Sequence, residues 1–405
     1  MGGRTVMVEE SRNWADSRSA SARGGGGMHF ASHLKKTRKV TEGGQRKRQM
    51  TDLYGSTALI DYATSLFVAA GLPRDRAEVG AVILVEGDLS DRSTHGLALL
   101  PNYLEALANR SMARNAEITV VSDNGASAVW DGQRNLGPWL VHQGVGLGMD
   151  RARKHGSFCL AIRRSHHIAA LSAYLRRATE AGFLIVITSS DPSTASVAPA
   201  GGTEAMITPN PLAAGIPTSD TPVLIDISMS TTTNALTARH HKEGRPLPHP
   251  WLLSALGEAT TDASTFFAEP KGSILPLGGL ELGYKGFAMG LLIDVLTSAL
   301  GGFGRADSSE GWGASVFLQL FWPPAFGGRE AFLRQTDHLV GLARSNRPVP
   351  GGGQVRLPGD RASALRSERL AKGLPLHSSI LPAIEPWRQK YNLVAPSPIA
   401  VHRPA

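Results

Sequence analysis

Residues 158–188 read FCLAIRRSHHIAALSAYLRRATEAGFLIVIT and carry the clearest fold signal in the chain. The apolar run at 158–162 predicts a buried strand. Apolar residues spaced three and four apart then predict a helix over 168–181, which Gly182 ends, and a second buried strand is expected at 183–188. Strand, helix and strand in succession favour a layered α/β domain in which helices cover a sheet.

The chain before this stretch has helical spacing. Apolar residues recur at three and four positions over 56–70, a second helix is expected from Pro73, and a third is expected to begin at His95. Strand-like runs follow at 118–121 and 126–130. Three helices should therefore precede the sheet.

The composition is that of a soluble globular protein, because 42% of the 405 residues are apolar and 19% are charged. The longest apolar stretch, 287–300, is interrupted by Asp294 and is shorter than the roughly 20 residues that a membrane helix needs, so no membrane segment is expected. Cys159 is the only cysteine. An intrachain disulfide and a cysteine-based metal cage are thereby excluded, and a cytoplasmic location is favoured.

Positive charge is concentrated at the N-terminus. Residues 1–50 hold eleven Lys and Arg against four Asp and Glu, a net charge of +7 out of the total of +8. This segment lacks apolar periodicity and predicts a disordered basic tail or a mis-assigned start. The nearly neutral remainder argues against a nucleic-acid surface on the folded part, since phosphate binding draws on clustered Lys and Arg. A nucleic-acid or membrane-surface role for the tail is the alternative.

Familiar motifs are absent. The glycines at 144–148 are spaced G-x-G-x-G and follow a helical stretch, whereas a Rossmann fingerprint needs G-x-G-x-x-G between a strand and a helix. The adjacent pairs His166-His167 and His240-His241 lack the i, i+4 spacing of a helical zinc site. No Rossmann domain and no metal are therefore expected.

Two segments can present reactive or substrate-binding groups. His167 stands at the junction of a strand and a helix, where α/β folds present side chains to a crevice, and imidazole exchanges protons near neutral pH. A structural histidine or helix cap is the alternative. His95 is placed at a helix start that favours an anion, and Tyr103 lies about two turns on. Alternatively Thr94 caps that helix and Tyr103 packs in the core.

Two further segments suit a cofactor. Asp226 and Ser228 end a strand-like run at 222–227, where they can hold ribose hydroxyls or simply cap a turn. Lys285 is expected to open a strongly apolar helix, where it could meet a phosphate or stand in solvent beside a buried helix.

Taken in order over residues 52–390, these segments resemble the malate/L-lactate dehydrogenase family, which includes ureidoglycolate, sulfolactate and cyclic-imine 2-carboxylate oxidoreductases. The likeness is distributed over many short pieces. They are 87–89, 94–96, 100–103, the His167 segment, 188–190, 197–202, 210–213, 225–226, 275–279 and 284–287.

The resemblance implies a three-layer α/β/α fold with a mixed sheet, of the non-Rossmann, sulfolactate-dehydrogenase-like kind. It divides the catalytic domain into a helical substrate-pocket part at 51–125, a cofactor-binding part at 126–300 and a C-terminal part at 301–390, followed by a flexible tail at 391–405. It also implies NADH or NADPH as cofactor, without choosing between them, and a homodimer whose active site lies near the subunit interface.

The resemblance further implies roles for single residues. His167 matches the proton donor and acceptor, and His95 and Tyr103 match residues that line the substrate pocket. The positions that match cofactor contacts are Ser190, Asp226, Ile227, Ser228, Lys285, Gly311 and Trp312.

Three departures bear on the substrate. Leu99 stands where the family usually carries an arginine for the substrate carboxylate, Thr208-Pro209 replaces the usual Gly-Thr, and Leu236 replaces a common lysine. The expected function is hydride transfer between a nicotinamide and a small 2-oxo or 2-hydroxy acid. The alternatives are a cyclic-imine 2-carboxylate reductase and a catalytically impaired cofactor-binding protein.

Overall fold

The computed structural model describes residues 52–307 and 311–399, so the predicted basic tail lies outside the described residues. The helices are α1 (Ser56–Ala69), α2 (Arg74–Leu89), α3 (Leu100–Ala108), α4 (Gly137–His155), α5 (Leu175–Glu180), α6 (Asn234–Lys242), α7 (Gly279–Asp294), α8 (Arg329–Arg344), α9 (Asp360–Lys372) and α10 (Ile380–Lys390). The strands are β1 (Leu53–Tyr54), β2 (Thr119–Asp123), β3 (Ser127–Asp131), β4 (Ser157–Ser165), β5 (Leu184–Ser190), β6 (Leu212–Ile216), β7 (Val223–Ile227), β8 (Leu252–Leu253), β9 (Ala259–Thr260), β10 (Ser273–Ile274), β11 (Ala314–Phe321) and β12 (Leu374–Pro375).

A seven-stranded mixed sheet organises the fold, in the order β2-β3-β4-β11-β5-β6-β7. Only β3 and β4 are parallel, and the other neighbours are antiparallel. The late strand β11 enters the middle of the sheet between β4 and β5. The expected α/β class with a mixed sheet is confirmed, and the three helices α1 to α3 precede the sheet as predicted.

Helix α4 packs closely on the sheet because of its glycines. A Cβ atom added at Gly144 would lie 2.8 Å from Leu318, and one at Gly148 would lie 2.5 Å from Leu320. Both leucines belong to β11 and to the main hydrophobic core. The glycine repeat at 144–148 therefore sets the spacing between helix and sheet and is no dinucleotide fingerprint.

The second helical layer is α7 and its π-helical continuation, Val295–Ala299, which contact β4, β5 and β11 on the side away from α4. Glycines form the inward side of α7. A Cβ at Gly286 would lie 2.3 Å from the Leu277 carbonyl oxygen, and one at Gly290 would lie 2.8 Å from Ile207. The expectation of a buried apolar helix is wrong here, because the large side chains point outward: Leu280, Leu282, Leu291, Leu292 and Val295 are each 44% to 64% exposed.

The helix predicted over 168–181 is shorter than expected. A 3-10 turn begins at Leu171, and α5 covers only Leu175–Glu180. Two tyrosines explain the delay, because the Tyr103 hydroxyl donates to the His167 carbonyl and the Tyr174 hydroxyl donates to the Ile168 carbonyl. Side chains thus satisfy the carbonyl groups that a helix would have used.

Two further helix starts differ from the sequence prediction. His95 lies in a turn, and the chain becomes helical only with a 3-10 segment at Leu97–Leu99. Lys285 lies in the second turn of α7, since that helix begins at Gly279. Within the described ranges, no helix is both long and apolar enough to span a bilayer.

Candidate active site

His167 lies two residues after β4, in an irregular segment where both hydrogen-bonding partners approach the same ring nitrogen. The Tyr103 hydroxyl of α3 is 2.9 Å from His167 Nδ1 and 3.0 Å from the His167 carbonyl oxygen. The Ala169 N–H donates to the same Nδ1 at 3.2 Å. No protein group in the described ranges bonds Nε2. Nε2 is therefore the nitrogen left for a ligand.

Burial lowers the pKa of three imidazoles in this region. Burial lowers the pKa of His167 well below its usual range, and the nearby His95 and His166 lower it further. Burial and then the Arg134 guanidinium lower the pKa of His166 to about 3. Burial is also the main cause of the lowered pKa of His95.

Trp312 forms an aromatic wall beside His167. The two rings stack with centroids 4.5 Å apart and planes at 27°. Trp312 also meets His166 edge-on at 5.1 Å and lies 5.6 Å from Tyr103. The His95 ring is 6.0 Å from that of His167 and nearly parallel to it. Three stretches of chain that are distant in sequence, 95–103, 166–167 and 312, therefore meet around one imidazole.

A buried carboxylate holds the turn that carries His95. Asp88 Oδ2 accepts from the Leu97 N–H at 2.7 Å. Gly96 lies so close that an added Cβ would be 2.4 Å from the Asp88 carboxyl carbon, which excludes other residues there. Burial raises the pKa of Asp88 to about 7, against the opposing effects of the Leu97 hydrogen bond and nearby arginines. Thr94 Oγ1 lies 2.9 Å from His95 Nδ1 and orients the ring.

Charges of both signs surround His95. Asp226 at the end of β7 raises its pKa, whereas Arg92 and Arg239 lower it. Arg92 is paired with Asp226, with Nε 3.4 Å from Oδ2. Arg239 donates only to Ser93 Oγ, at 3.3 Å, and no carboxylate in the described ranges lies within ion-pair distance of it. Arg92 is thus held in an ion pair, whereas Arg239 acts on His95 and on the carboxyl groups of Asp88 and Glu243 from beyond ion-pair distance.

The predicted cofactor residues lie on several elements. Ser190 is buried at the end of β5, with its hydroxyl 2.7 Å from Thr297 Oγ1. Ile227 is 47% exposed, and the Ser228 hydroxyl donates to the Ser230 carbonyl.

Two further predicted cofactor residues, Lys285 and Gly311, are exposed to solvent. Lys285 is exposed on α7, with Nζ 5.8 Å from the Tyr284 ring centre. Gly311 is exposed, with a φ of +69° that favours glycine.

The structure brings His95, Tyr103, His167 and Trp312 together, with Asp226 beside His95. Within the described ranges, no hydrogen bond, ion pair or ring contact joins Ser190 or Lys285 to this group. Tyr103 is fully buried, and its hydroxyl is hydrogen-bonded to Nδ1 of His167.

Sequence reasoning did not assign roles to Asp88, Ala169 or Arg239. Asp88 had a signal, because an acidic residue inside a buried helix is rarely without function. The position of the Ala169 N–H depends on a left-handed backbone, with φ of +58°, that alanine gives no reason to expect. The nearness of Arg239 to His95 is a long-range contact without local signal. No metal-binding cluster of His, Cys, Asp and Glu occurs in the ranges that the structure describes.

Comparison with known proteins identifies the family. The sequence profile of malate/L-lactate dehydrogenase matches residues 55–385. The chain belongs to the malate/L-lactate dehydrogenase family. It is an oxidoreductase of the kind that acts on CH–OH groups, as the dehydrogenases named among its relatives do.

Two curated relatives cover most of this family member. The L-lactate dehydrogenase of Cupriavidus necator is 31% identical, over 84% of this chain and 98% of the relative. The (2R)-3-sulfolactate dehydrogenase (NADP(+)) of Chromohalobacter salexigens is 32% identical, over 76% of this chain and 90% of the relative.

Solved structures share the fold. Malate dehydrogenase from Entamoeba histolytica superposes with a TM-score of 0.80 at 18% identity, covering 86% of this chain and all of that one. The Δ1-piperideine-2-carboxylate reductase from Pseudomonas syringae superposes with a TM-score of 0.72 at 24% identity, covering 83% of this chain and all of that one.

Proposed function

We propose that this family member is an NAD(P)-dependent 2-hydroxy acid dehydrogenase in which His167 exchanges the proton of the substrate hydroxyl. The proposal rests on the His167 ring, which Tyr103 and Ala169 hold through Nδ1, whose pKa is lowered by burial, and whose Nε2 has no hydrogen-bond partner among the described residues. A fixed imidazole with one open nitrogen suits a general acid and base.

The nicotinamide cofactor supplies and takes up the hydride when it is bound. Several groups fit it: Ser190, Ile227, Ser228, Gly311 and Trp312 offer hydroxyl, backbone and aromatic contacts, Asp226 offers acceptors for ribose hydroxyls, and Lys285 offers a cation for phosphate. In support, the Ser315 hydroxyl, on the strand beside Ser190, is buried without a partner among the described residues. NAD and NADP both remain in the proposal.

We assign the substrate carboxylate to Arg239. Leu99 is only 8% exposed and apolar, so it offers no anion site. Arg239 is the arginine near His95 without a carboxylate partner among the described residues, whereas Arg92 already pairs with Asp226. A charge-assisted contact between guanidinium and carboxylate would orient the acid beside His95.

We also propose a homodimer formed through α7. Five large apolar side chains on this helix and its continuation are about half exposed, while its own glycines face the body. A patch of this kind on a monomer marks an interaction surface. Because Lys285 lies on the same helix, the interface would adjoin the cofactor. A cytoplasmic location stays a prediction from the single cysteine.

Sedimentation velocity tests the dimer. Leu292→Glu on α7 should convert it to a monomer, because a charge would be buried in the apolar interface. The matched control is Leu256→Glu, a leucine that is 88% exposed on another element. Dimers that persist in Leu292→Glu would contradict the proposal.

The function is tested by NADH and NADPH oxidation over a panel of 2-oxo acids and cyclic-imine 2-carboxylates, at substrate concentrations up to saturation. Turnover of one or more 2-oxo acids is expected. Turnover of cyclic imines alone would replace the proposal with the imine reductase. Cofactor binding by fluorescence without turnover on any substrate would indicate a catalytically impaired protein.

A further inference from the structure

The Nδ1 atom of His167 faces two groups with different hydrogen-bonding abilities. The Ala169 N–H, 3.2 Å away, can only donate. The Tyr103 hydroxyl, 2.9 Å away, can donate or accept. When Ala169 donates, Nδ1 must hold a lone pair, and the proton of the neutral ring is then on Nε2. This tautomer has no free electron pair at Nε2 to accept a substrate proton.

The Tyr103 hydroxyl has a second acceptor that allows the other tautomer. It lies 3.0 Å from the His167 carbonyl oxygen, to which it donates. While the Tyr103 hydroxyl donates its hydrogen bond to that carbonyl, its oxygen can accept a hydrogen bond from Nδ1–H. The same atom therefore has a partner whether Nδ1 carries a proton or a lone pair.

We propose that Tyr103 is a positioning residue that selects the tautomer of His167, supporting the form with its proton on Nδ1 and its lone pair on Nε2. This inference rests on the proposed role of His167. Tyr103 itself does not touch the reacting atoms, in contrast to the pocket-lining role expected from the sequence.

The proton balance is closed in both directions. In reduction, the neutral ring first takes up a proton from solvent at Nε2. The imidazolium then donates that proton to the carbonyl oxygen as hydride adds to the carbonyl carbon, and the ring is left neutral with its proton on Nδ1. That proton is shared with the Tyr103 oxygen, whose own hydrogen stays on the His167 carbonyl. In oxidation, Nε2 takes the hydroxyl proton while hydride leaves the carbon.

Two features keep this arrangement in place. Tyr103 is 0% exposed, and burial raises its pKa, so it exchanges hydrogen bonds without becoming charged. Ala169 has a φ of +58°, a conformation that non-glycine residues adopt rarely and mainly at functional sites. This backbone directs its N–H at Nδ1 and sets the competing tautomer.

The pH response of His167 also depends on its neighbours. His95 and His166 face it directly, and both have lowered pKa values. Arg134 acts on His166, while Asp226, Arg92 and Arg239 act on His95.

The test is Tyr103→Phe, with Tyr174→Phe as the matched control. Tyr174 is a second buried tyrosine, and its hydroxyl donates to the Ile168 carbonyl on the same segment without touching the His167 ring. The direct readout is the pair of ring ¹⁵N chemical shifts of His167 in histidine-labelled full-length protein, assigned by loss of the signals in His167→Asn.

In Tyr103→Phe we expect neutral His167 almost wholly as the Nε2–H tautomer, whereas the parent protein and Tyr174→Phe show a larger Nδ1–H share. Turnover at saturation should fall about ten- to a hundredfold in reduction and oxidation alike, and the apparent pKa of His167 in the pH profile should fall. Unchanged tautomer shares in a folded Tyr103→Phe protein would overturn the inference.

Two outcomes separate this inference from the proposed function. The ¹⁵N readout needs no turnover. If Tyr103→Phe changes the tautomer of His167 but His167→Ala keeps full activity, Tyr103 still selects the tautomer and the catalytic role of His167 is rejected. If Tyr103→Phe does not fold, 3,5-difluorotyrosine at position 103 keeps the hydroxyl and weakens it as an acceptor. It should also shift the ring towards Nε2–H, and no shift would overturn the inference.

Discussion

The group around His167 and the groups expected to hold the cofactor differ in how complete they are. His95, Tyr103, His167 and Trp312 come from three stretches of the chain and contact one another through rings or hydrogen bonds. Trp312 belongs to both groups, and the other cofactor residues are spread over the ends of β5 and β7, the loop before β11 and exposed α7. The contrast teaches that the group around His167 is assembled by the fold of the chain, while on our proposal the cofactor part is completed by the cofactor and by a second subunit.

The largest effect is expected from His167→Ala. Loss of a general acid and base typically lowers the rate about 10²- to 10⁴-fold, and kcat should fall by that factor while cofactor binding measured by fluorescence stays unchanged. His338→Ala, on exposed α8, is the control. Full activity in His167→Ala would show that His167 is not the general acid and base, and the group around it would then differ from the cofactor residues in packing alone.

Asp88 should make the buried part of the site pH-sensitive. Its pKa is raised to about 7 by burial, so the folded state holds a proton that the unfolded chain releases above pH 4. Stability should therefore fall as pH rises from about 4 to 7 and then level off. At about 1.4 kcal/mol per pKa unit, the loss would reach about 4 kcal/mol.

Urea unfolding between pH 4 and 8.5 measures this effect. Asp88→Asn keeps an acceptor for the Leu97 N–H and should abolish the decline, whereas Asp75→Asn in the first turn of α2 should leave it intact. Parallel curves for the parent and Asp88→Asn proteins would show that this carboxyl does not titrate on its own.

Arg239→Gln should raise KM for the acid substrate and leave KM for the cofactor unchanged. Loss of a hydrogen bond to a charged group costs about 1.5–3 kcal/mol, so KM for the 2-oxo acid should rise about ten- to a hundredfold. Arg245→Gln, an exposed arginine paired with Glu243, is the control. An equal rise in both KM values would place Arg239 at the cofactor.

Lys285→Ala should have the smallest effect. An exposed ion pair contributes about 0.2–1 kcal/mol, so the Kd of the cofactor should rise no more than about fivefold, and less at high salt. The control is Lys271→Ala, another exposed lysine. A loss of a hundredfold or more would mean that the bound state buries Lys285.

Patterns between close neighbours in sequence predicted much of the fold. The strands around His167, helices α1 and α2 and the layered α/β class followed from spacing, whereas the mixed sheet was implied by the family resemblance. The glycines at 144–148 were rejected as a Rossmann motif on their spacing, and in the structure Gly144 and Gly148 pack on β11. The same reasoning misplaced the helix start at 168, because two tyrosine hydroxyls take carbonyls there. The same reasoning also predicted a buried α7, because the apolar character of a helix does not show whether its glycines or its leucines face the rest of the protein.

The sequence by itself determined the alternation of strands and helices around His167 and the resemblance to the family, since these depend on residue types at fixed short spacings. The catalytic role of His167 stays a prediction from that resemblance. Only the tertiary structure decided that Tyr103 and Ala169 both approach Nδ1 of His167, and that Arg239 lies near His95 with no carboxylate of the described residues at ion-pair distance. These relations join residues such as Tyr103 and His167, 64 positions apart. They arise from packing and burial, and spacing along the chain carries no record of them.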